Sequence, residues 1–228
     1  MAEEKYVLVE HLSSIFDLIK KIDNVENTEE VIKILQEKDT RKTFFKMLAS
    51  SLRIYYLGLD SIFIASKIDF EKLNISATEN IHVKNFSWVL DPKYQKDSYL
   101  TILKMNLIND CWICFESSLR DINYKCNIEN GEPKIYSLYT NKLFNANTKF
   151  LYFFSCCRNA MHNNSIHTKE DYEYILNGKS FKLEKGKKIE FITDQVILEM
   201  VEKLSDVALD MWKNLNNPCL ISDRYNVI

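Results

Sequence analysis

Residues 147–164, NTKFLYFFSCCRNAMHNN, join an aromatic helix pattern to a cluster of polar side chains. At about 100° per residue, Arg158 and His162 stack on one side of such a helix, because they are four residues apart. They fall beside the apolar face that would pack into a core, at its border with solvent. That apolar face comprises Phe150, Phe153, Phe154, Cys157, Ala160 and Met161. The stretch therefore predicts a buried helix whose last turns carry a polar site.

The composition around this stretch favours a bundle of long helices. The 228-residue chain holds only 4 Gly and 3 Pro, the residues that tight turns and strand connections consume. Its 13 Phe and 12 Tyr are ample for a sizeable core. We therefore expect an all-α fold, a helical bundle with one small β-hairpin near the C-terminal helix. Helical spacing of apolar residues predicts helices over 5–22, 27–36, 41–66, 97–125, 136–145, 147–163 and 194–215.

Two connections and a hairpin are predicted between these helices. The segment FSWVLDPKYQ, residues 86–95, surrounds a proline with aromatic residues and indicates a loop. The segment NIENGEP, residues 127–133, breaks the chain again. In KSFKLEKGKKIEFI, apolar residues alternate around EKGK, which predicts a β-hairpin near 180–192. The lysines of its KGKK tip, residues 185–188, are either solvated or positioned to steer RNA.

Charge and hydropathy limit the classes of partner. The net charge is −2, so no global basic field exists for duplex DNA, and a nucleic-acid site would have to be local. No apolar run approaches the roughly 18 residues of a membrane span. The N-terminal MAEEKYVLVEHL is acidic where a signal sequence is basic. We expect a cytoplasmic protein that binds neither duplex DNA nor a membrane.

The 6 cysteines are expected to be reduced thiols in that setting. Cys111 and Cys114 have C-x-x-C spacing but lie within a helical pattern, which favours core packing over a zinc ribbon. Cys126, Cys156 and Cys157 offer, with His162, the alternative of a metal site, although their spacings match no standard zinc framework. We expect no metal and no cofactor.

Arg158 and His162 together suit RNA cleavage. Arg158 disfavours a second positive charge one turn away, and a neutral His162 can accept the proton of a ribose 2′-hydroxyl. The guanidinium can bind the phosphate through two hydrogen bonds and stabilise charge as it develops. Because RNA carries its own nucleophile, no metal is required. The alternative is structural: His162 caps the helix, Arg158 holds a carboxylate and the asparagines end the helix.

Three features resemble the HEPN superfamily, the higher-eukaryote-and-prokaryote nucleotide-binding helical domains. They are RNAMHN at residues 158–163, FESSLRDI at residues 115–122, and a hairpin followed by a closing helix, within residues 97–215. The resemblance implies a helical bundle that dimerises with its Arg–His helices facing. It also implies metal-independent ribonuclease activity of the toxin–antitoxin, abortive-infection or CRISPR-associated kind. On this basis, residues 91–228 form a HEPN-like domain and residues 1–90 a helical N-terminal extension, together one compact unit.

The family motif assigns roles to individual residues. Arg158 matches its arginine, Asn159 the polar residue that follows and His162 its histidine, so these are the predicted catalytic residues. Only three residues separate Arg158 from His162, which is shorter than usual in the family but keeps both on one helix face. Glu116 matches the polar or acidic position on the preceding helix. The predicted substrate contacts are Asn163, Glu116 and Ser155.

Three functions remain open at this point. The first is a ribonuclease that acts on RNA as a homodimer, with a cognate antitoxin or another partner protein. The second is a non-catalytic HEPN dimer that binds a nucleotide or a partner protein in a small or plugged cleft. The third is a structural protein in which Arg158 is buried against an intrachain carboxylate. Glu116 has its own structural alternative, an i,i+4 ion pair with Arg120 on an exposed face.

Overall fold

The computed structural model describes residues 2–25, 39–65, 92–129, 131, 133–142 and 147–215. This part of the chain is mostly helical with one two-stranded hairpin, which confirms the predicted all-α bundle. The predicted helix at 27–36 lies outside the described residues. The elements are α1 (Ala2–Val25), α2 (Thr40–Ala65), α3 (Pro92–Cys126), α4 (Ile135–Thr140), α5 (Thr148–His162), β1 (Tyr172–Leu176), β2 (Lys179–Leu183) and α6 (Asp194–Asn214).

The start of α3 differs from the prediction. A loop was predicted through residue 95, but α3 begins at Pro92. Proline is well tolerated in the first turn of a helix, because its missing N–H has no intrahelical partner there. The predicted break at 127–133 is confirmed for its described residues, since Asn127 (φ 50°) and Gly131 (φ 72°) have left-handed backbone that ends helical geometry.

Helix α5 lies at the centre of the packing around the polar site. Its predicted apolar face is buried, with Met161 partly buried. Leu151 and Cys156 are buried as well, so the buried face is wider than predicted. The reason is that α5 is covered from two directions. Trp112 of α3 stacks on Phe154 with ring centroids 5.7 Å apart, and Tyr174 of β1 stacks on Phe153 at 5.0 Å.

The two N-terminal helices share this core with the rest of the described chain. Phe44 and Phe45 of α2 each pack edge-on against Trp212 of α6, with ring centroids 4.9 Å apart. Phe44 also contacts Phe115 of α3 at 6.2 Å. Helices α1 and α2 therefore contribute to one continuous core. The assignment of residues 91–228 to a HEPN-like domain stays a prediction from the resemblance.

The hairpin is present but lies earlier in the chain than predicted. Strand β1 pairs with β2 in antiparallel register, Tyr172 opposite Leu183. The two strands are joined by Asn177 (φ 49°) and Gly178 (φ 79°), the pair that a tight two-residue hairpin turn requires. The predicted span 180–192 is therefore wrong: its first half is the second strand. Residues 184–187 form a separate exposed turn after it.

No helix in the described part of the chain is long and apolar enough to span a bilayer.

Candidate functional site

Arg158 and His162 meet on a residue of another helix, Asn109 of α3. The Asn109 side-chain oxygen accepts hydrogen bonds from Nε and Nη2 of Arg158, at 3.2 and 3.1 Å. The same oxygen lies 3.0 Å from Nε2 of His162. The two side chains that sequence spacing placed on one face of α5 are thus held together by one amide.

This contact fixes the tautomer of neutral His162. Arg158 can only donate hydrogen bonds, so the Asn109 atom facing it has to be the amide oxygen. An amide oxygen carries no hydrogen, so Nε2 of His162 must donate to it. In the neutral imidazole the lone pair then resides on Nδ1, because only one ring nitrogen carries a hydrogen. Since His162 is exposed, Nδ1 is the atom available to accept a proton from a ligand.

In the part of the chain that the structure describes, the hydrogen-bond partners of Arg158 are neutral. Its Nη1 donates to the side-chain oxygen of Asn159 at 3.2 Å, and its other contacts go to Asn109. Within the described residues, Arg158 forms no ion pair with a carboxylate. The side chain is partly buried. A partly desolvated guanidinium without a counter-charge is suited to an external anion such as a phosphate.

Core packing next to the site positions these side chains. Asn109 lies one turn before Trp112 on α3, and Arg158 lies one turn after Phe154 on α5. Because Trp112 and Phe154 stack with an interplanar angle of 19°, both helices are locked where they carry the polar groups. Both rings are buried. The site is therefore built on two rigid helices rather than on a loop.

Asn163, a predicted substrate contact, ends α5. Its backbone N–H donates to the carbonyls of Ala160 and Asn159, at 2.9 and 3.2 Å, and its side-chain nitrogen donates to the Asn159 carbonyl at 3.0 Å. This is the helix-ending role that was the structural alternative for the asparagines. Ser155, another predicted contact, is partly buried one turn before Asn159. It lies on the side of α5 that carries the site.

Glu116 does not join the site in the structure. Its carboxylate forms an i,i+4 ion pair with Arg120 at 2.7 Å, which is the structural alternative for this residue. Arg120 also donates to the carbonyl of Pro133 at 3.2 Å. Glu116 lies seven residues beyond Asn109 on α3, which corresponds to about 10.5 Å along the helix axis. The α3 residue that contacts Arg158 and His162 is therefore Asn109, two turns before Glu116, and the role of Glu116 in substrate binding stays a prediction.

Asn109 was not predicted from the sequence. One signal was available: asparagine is a poor residue for a helix interior, and Asn109 lies two residues before the buried Cys111, but Asn106 and Asn123 of the same helix give the same signal. An amide side chain at this position indicates a specific hydrogen-bond partner. The partner is 49 residues away in sequence, and local spacing cannot identify it.

Two other groups singled out in the sequence, the C-x-x-C thiols and the lysines of the KGKK turn, have structural surroundings. Burial raises the pKa of Cys114 to about 11, and burial also raises the pKa of Cys111, so both are protonated core thiols near neutral pH. Among the residues the structure describes, no group of three or more His, Cys, Asp or Glu side chains could hold a metal ion. In the KGKK turn, Lys185 pairs with Glu170 and Lys187 with Glu184.

The chain was compared with protein-family models, curated proteins and solved structures, and none of the three comparisons gave a match. The HEPN resemblance therefore continues to rest on the residues quoted for it, and the site is interpreted from its own geometry.

Proposed function

We propose that the protein is a metal-independent endoribonuclease of the HEPN type that cleaves single-stranded RNA. One observation carries the proposal. Arg158 is a partly buried cation with only neutral amide partners among the described residues, and His162 shares one of those amides. A guanidinium has five N–H donors, so those not used by the amides remain for a phosphate. The exposed imidazole next to it supplies acid–base chemistry.

The reaction is an attack of the ribose 2′-oxygen on the adjacent phosphorus. Nδ1 of His162 accepts the proton of the 2′-hydroxyl, and the new P–O2′ bond forms as the P–O5′ bond breaks. The leaving 5′-oxygen takes a proton from a second acid. The products are a 2′,3′-cyclic phosphate and a 5′-hydroxyl. Arg158 binds the phosphate oxygens and stabilises the charge that grows on them, and Asn159 orients Arg158.

The second acid is best supplied by His162 of a second copy, so the proposal includes a homodimer. Tyr99, Ile102 and Ile113 are 43%, 49% and 50% exposed on α3. At about 100° per residue, all three share the α3 face of Asn109. The exposed Asn106 lies between Ile102 and Asn109 on this face, so the face is a mixed apolar and polar surface of the kind found in non-obligate interfaces. In a two-fold dimer through this face, each site lies near its own copy.

A toxin–antitoxin or anti-phage role in the cytoplasm completes the proposal. Five free cysteines in the described chain fit a reducing compartment. Uncontrolled RNA cleavage would damage the host, so a cognate antitoxin or another partner protein is expected to silence the site.

A 5′-labelled single-stranded RNA incubated with purified protein in EDTA tests the proposal. We expect fragments that end in a 2′,3′-cyclic phosphate or its hydrolysed form. His162→Ala and Arg158→Ala should abolish them, and Asn159→Ala should reduce them. Glu116→Gln is the matched control, because it alters a charged residue of the same helix pair outside the site. Equal cleavage by wild type and His162→Ala would show that His162 is not the catalytic residue and that the assignment of the site is wrong.

The second candidate is a non-catalytic HEPN dimer that binds nucleotide or a partner protein. The observation that favours it is that Nε, Nη1 and Nη2 of Arg158 all donate to amides of the chain already. An arginine held by these hydrogen bonds can bind a phosphate, but it is not free to move with the phosphate oxygens as their charge grows in a transition state. Retained RNA or nucleotide binding that depends on Arg158, with no cleavage over hours, would select this function.

A further inference from the structure

Three tyrosines from different elements form a connected surface, here called the tyrosine platform: Tyr136 of α4, Tyr152 of α5 and Tyr172 of β1. The ring centroids of Tyr136 and Tyr152 are 6.4 Å apart, and those of Tyr152 and Tyr172 are 4.9 Å apart. Both contacts are edge-to-face. Tyr136 is 56% exposed, and the other two are partly buried.

The platform is held rigidly from below. The buried Tyr139 packs edge-on against Tyr136, with centroids 5.4 Å apart. Tyr139 in turn contacts Trp112, the residue whose stacking positions the Arg158 site. The hydroxyl of Tyr172 donates to the carbonyl of Lys149 at 2.9 Å. The rings therefore lose little conformational freedom when a planar ligand stacks on them.

One lysine contacts the platform directly, and three more lie near its tyrosines in the sequence. Nζ of Lys169 lies 5.3 Å from the ring centroid of Tyr152. Lys134, Lys142 and Lys149 come from the chain segments that carry Tyr136 and Tyr152, and all are exposed. In contrast to Lys185 and Lys187 of the KGKK turn, none of these four lysines forms an ion pair with a described residue.

Tyr152 of the platform also shares a face of α5 with Asn159 of the candidate active site. Tyr152 and Asn159 are seven residues apart on α5, so they share a helix face at a separation of about 10.5 Å along the axis. Asn159 accepts the hydrogen bond from Arg158. Consider an RNA strand whose phosphate is bound by Arg158. If this RNA continues along α5 towards the N-terminal end of the helix, it reaches Tyr152 after about 10.5 Å.

We propose that the tyrosine platform is a base-stacking subsite for single-stranded RNA that flanks the phosphate bound by Arg158. This rests on the proposed function, because RNA has to be the ligand of that site. Exposed bases stack on aromatic rings with little sequence preference, and lysines around them neutralise the phosphates. The edge-to-face tyrosines and the lysine that contacts Tyr152 offer both contacts, whereas an apolar protein surface would leave the charge of Lys169 without a counter-charge.

The test uses a short fluorescent RNA whose 2′-hydroxyls are methylated, so that binding is measured by anisotropy without cleavage. Tyr136→Ala should weaken binding by about 5- to 150-fold, the range for losing one stacked base. Tyr136→Trp should retain it. Tyr124→Ala is the matched control, because Tyr124 is a 69% exposed tyrosine outside the platform. Thermal unfolding should show that all three variants remain folded at the assay temperature, with a lower midpoint for Tyr136→Ala, which loses the edge-on contacts with Tyr139 and Tyr152.

An abasic scan of the same RNA separates stacking from other effects. At one position near the phosphate that Arg158 binds, removing the base should weaken binding to wild type but not to Tyr136→Ala. If every abasic RNA loses equal affinity with both proteins, the platform does not stack a base and the inference is overturned. Cleavage that needs His162 but is unaffected by Tyr136→Ala would overturn the platform alone. Base-dependent binding at Tyr136, with no cleavage by wild type, would overturn the ribonuclease alone.

Discussion

The side-chain oxygen of Asn109 lies 3.0 Å from Nε2 of His162. The same oxygen accepts from Arg158 at 3.1 Å, so one neutral acceptor on α3 orients both polar groups of α5. It leaves Nδ1 of the imidazole available and the charge of the guanidinium uncompensated. Asn109 is thus a positioning residue, and changing its charge while keeping its shape is the most direct test of the site.

Asn109→Asp should lower cleavage near neutral pH and shift its pH dependence. A carboxylate at this position would pair with Arg158 and compete with the phosphate. It would also favour the protonated imidazole of His162, so the pH at which base-dependent cleavage appears should move upward. The pH profile of kcat/KM for the variant and wild type measures this. A uniform loss at every pH, with no shift, would indicate a purely structural role.

Arg158→Lys should lose about 10²–10³-fold in cleavage rate, because the lysine keeps the charge but not the two-pronged contact with the phosphate. Arg158→Ala should also destabilise the fold by about 1–3 kcal/mol, since it removes hydrogen bonds from a charged group between α3 and α5. Single-turnover kinetics and urea unfolding measure the two effects. Glu116→Gln should change the free energy of unfolding by less than about 1 kcal/mol, as expected for a partly exposed ion pair.

Ile113→Lys should convert the dimer to a monomer and abolish cleavage. The substitution places a charge one turn beyond Asn109, at one end of the α3 face that carries Tyr99 and Ile102. Light scattering at high micromolar concentration measures the assembly. Ile54→Lys is the matched control, because Ile54 is an isoleucine of another helix, α2, with a comparable exposure of 62%. A wild-type monomer at this concentration, or full cleavage by an Ile113→Lys monomer, would contradict the composite site.

Acidification should destabilise the protein through His11 of α1. Burial lowers the pKa of His11 below its usual 6.5; Lys104 lowers it further, while Asp194 opposes this. The Asp194 carboxylate also accepts from the hydroxyl of Tyr55 and pairs with Lys104. Because the folded pKa is depressed, the unfolded chain binds the proton first. The contribution of His11 is therefore complete above about pH 6.5 and is lost as the pH falls below it.

Melting curves between pH 7.5 and about 5.5 test this linkage, a window in which ordinary carboxylates stay ionised. His11→Gln should flatten the decline in midpoint that wild type shows. An unchanged slope in His11→Gln would mean that another group carries the pH dependence.

The sequence predicted most of what depends on local spacing. A 3.6-residue period predicts three features of the structure: the apolar face of α5, the ends of α6, and the position of Arg158 and His162 on one side of a helix. The hairpin was misplaced because alternation in residues 181–191 outweighed a stronger local signal, the Asn177–Gly178 turn.

What the sequence could not predict depends on contacts between distant segments. Asn109 meets α5 across 49 residues, and Tyr136, Tyr152 and Tyr172 belong to three separate elements. Helical periodicity tells which way a side chain faces, but not which residue it meets. Glu116 shows the same limit: the i,i+4 pattern described its real contact with Arg120, whereas a role in the site required a tertiary arrangement.

The single acceptor shared by Arg158 and His162 restricts how this segment can vary during evolution. Inserting one residue between them would match a longer motif, but it would rotate His162 by about 100° around α5 and remove it from Asn109. Insertions would be tolerated only together with a new acceptor elsewhere on α3. The short spacing and Asn109 should therefore be inherited as a unit, and a homologue with a longer spacing is expected to carry a different residue at that position.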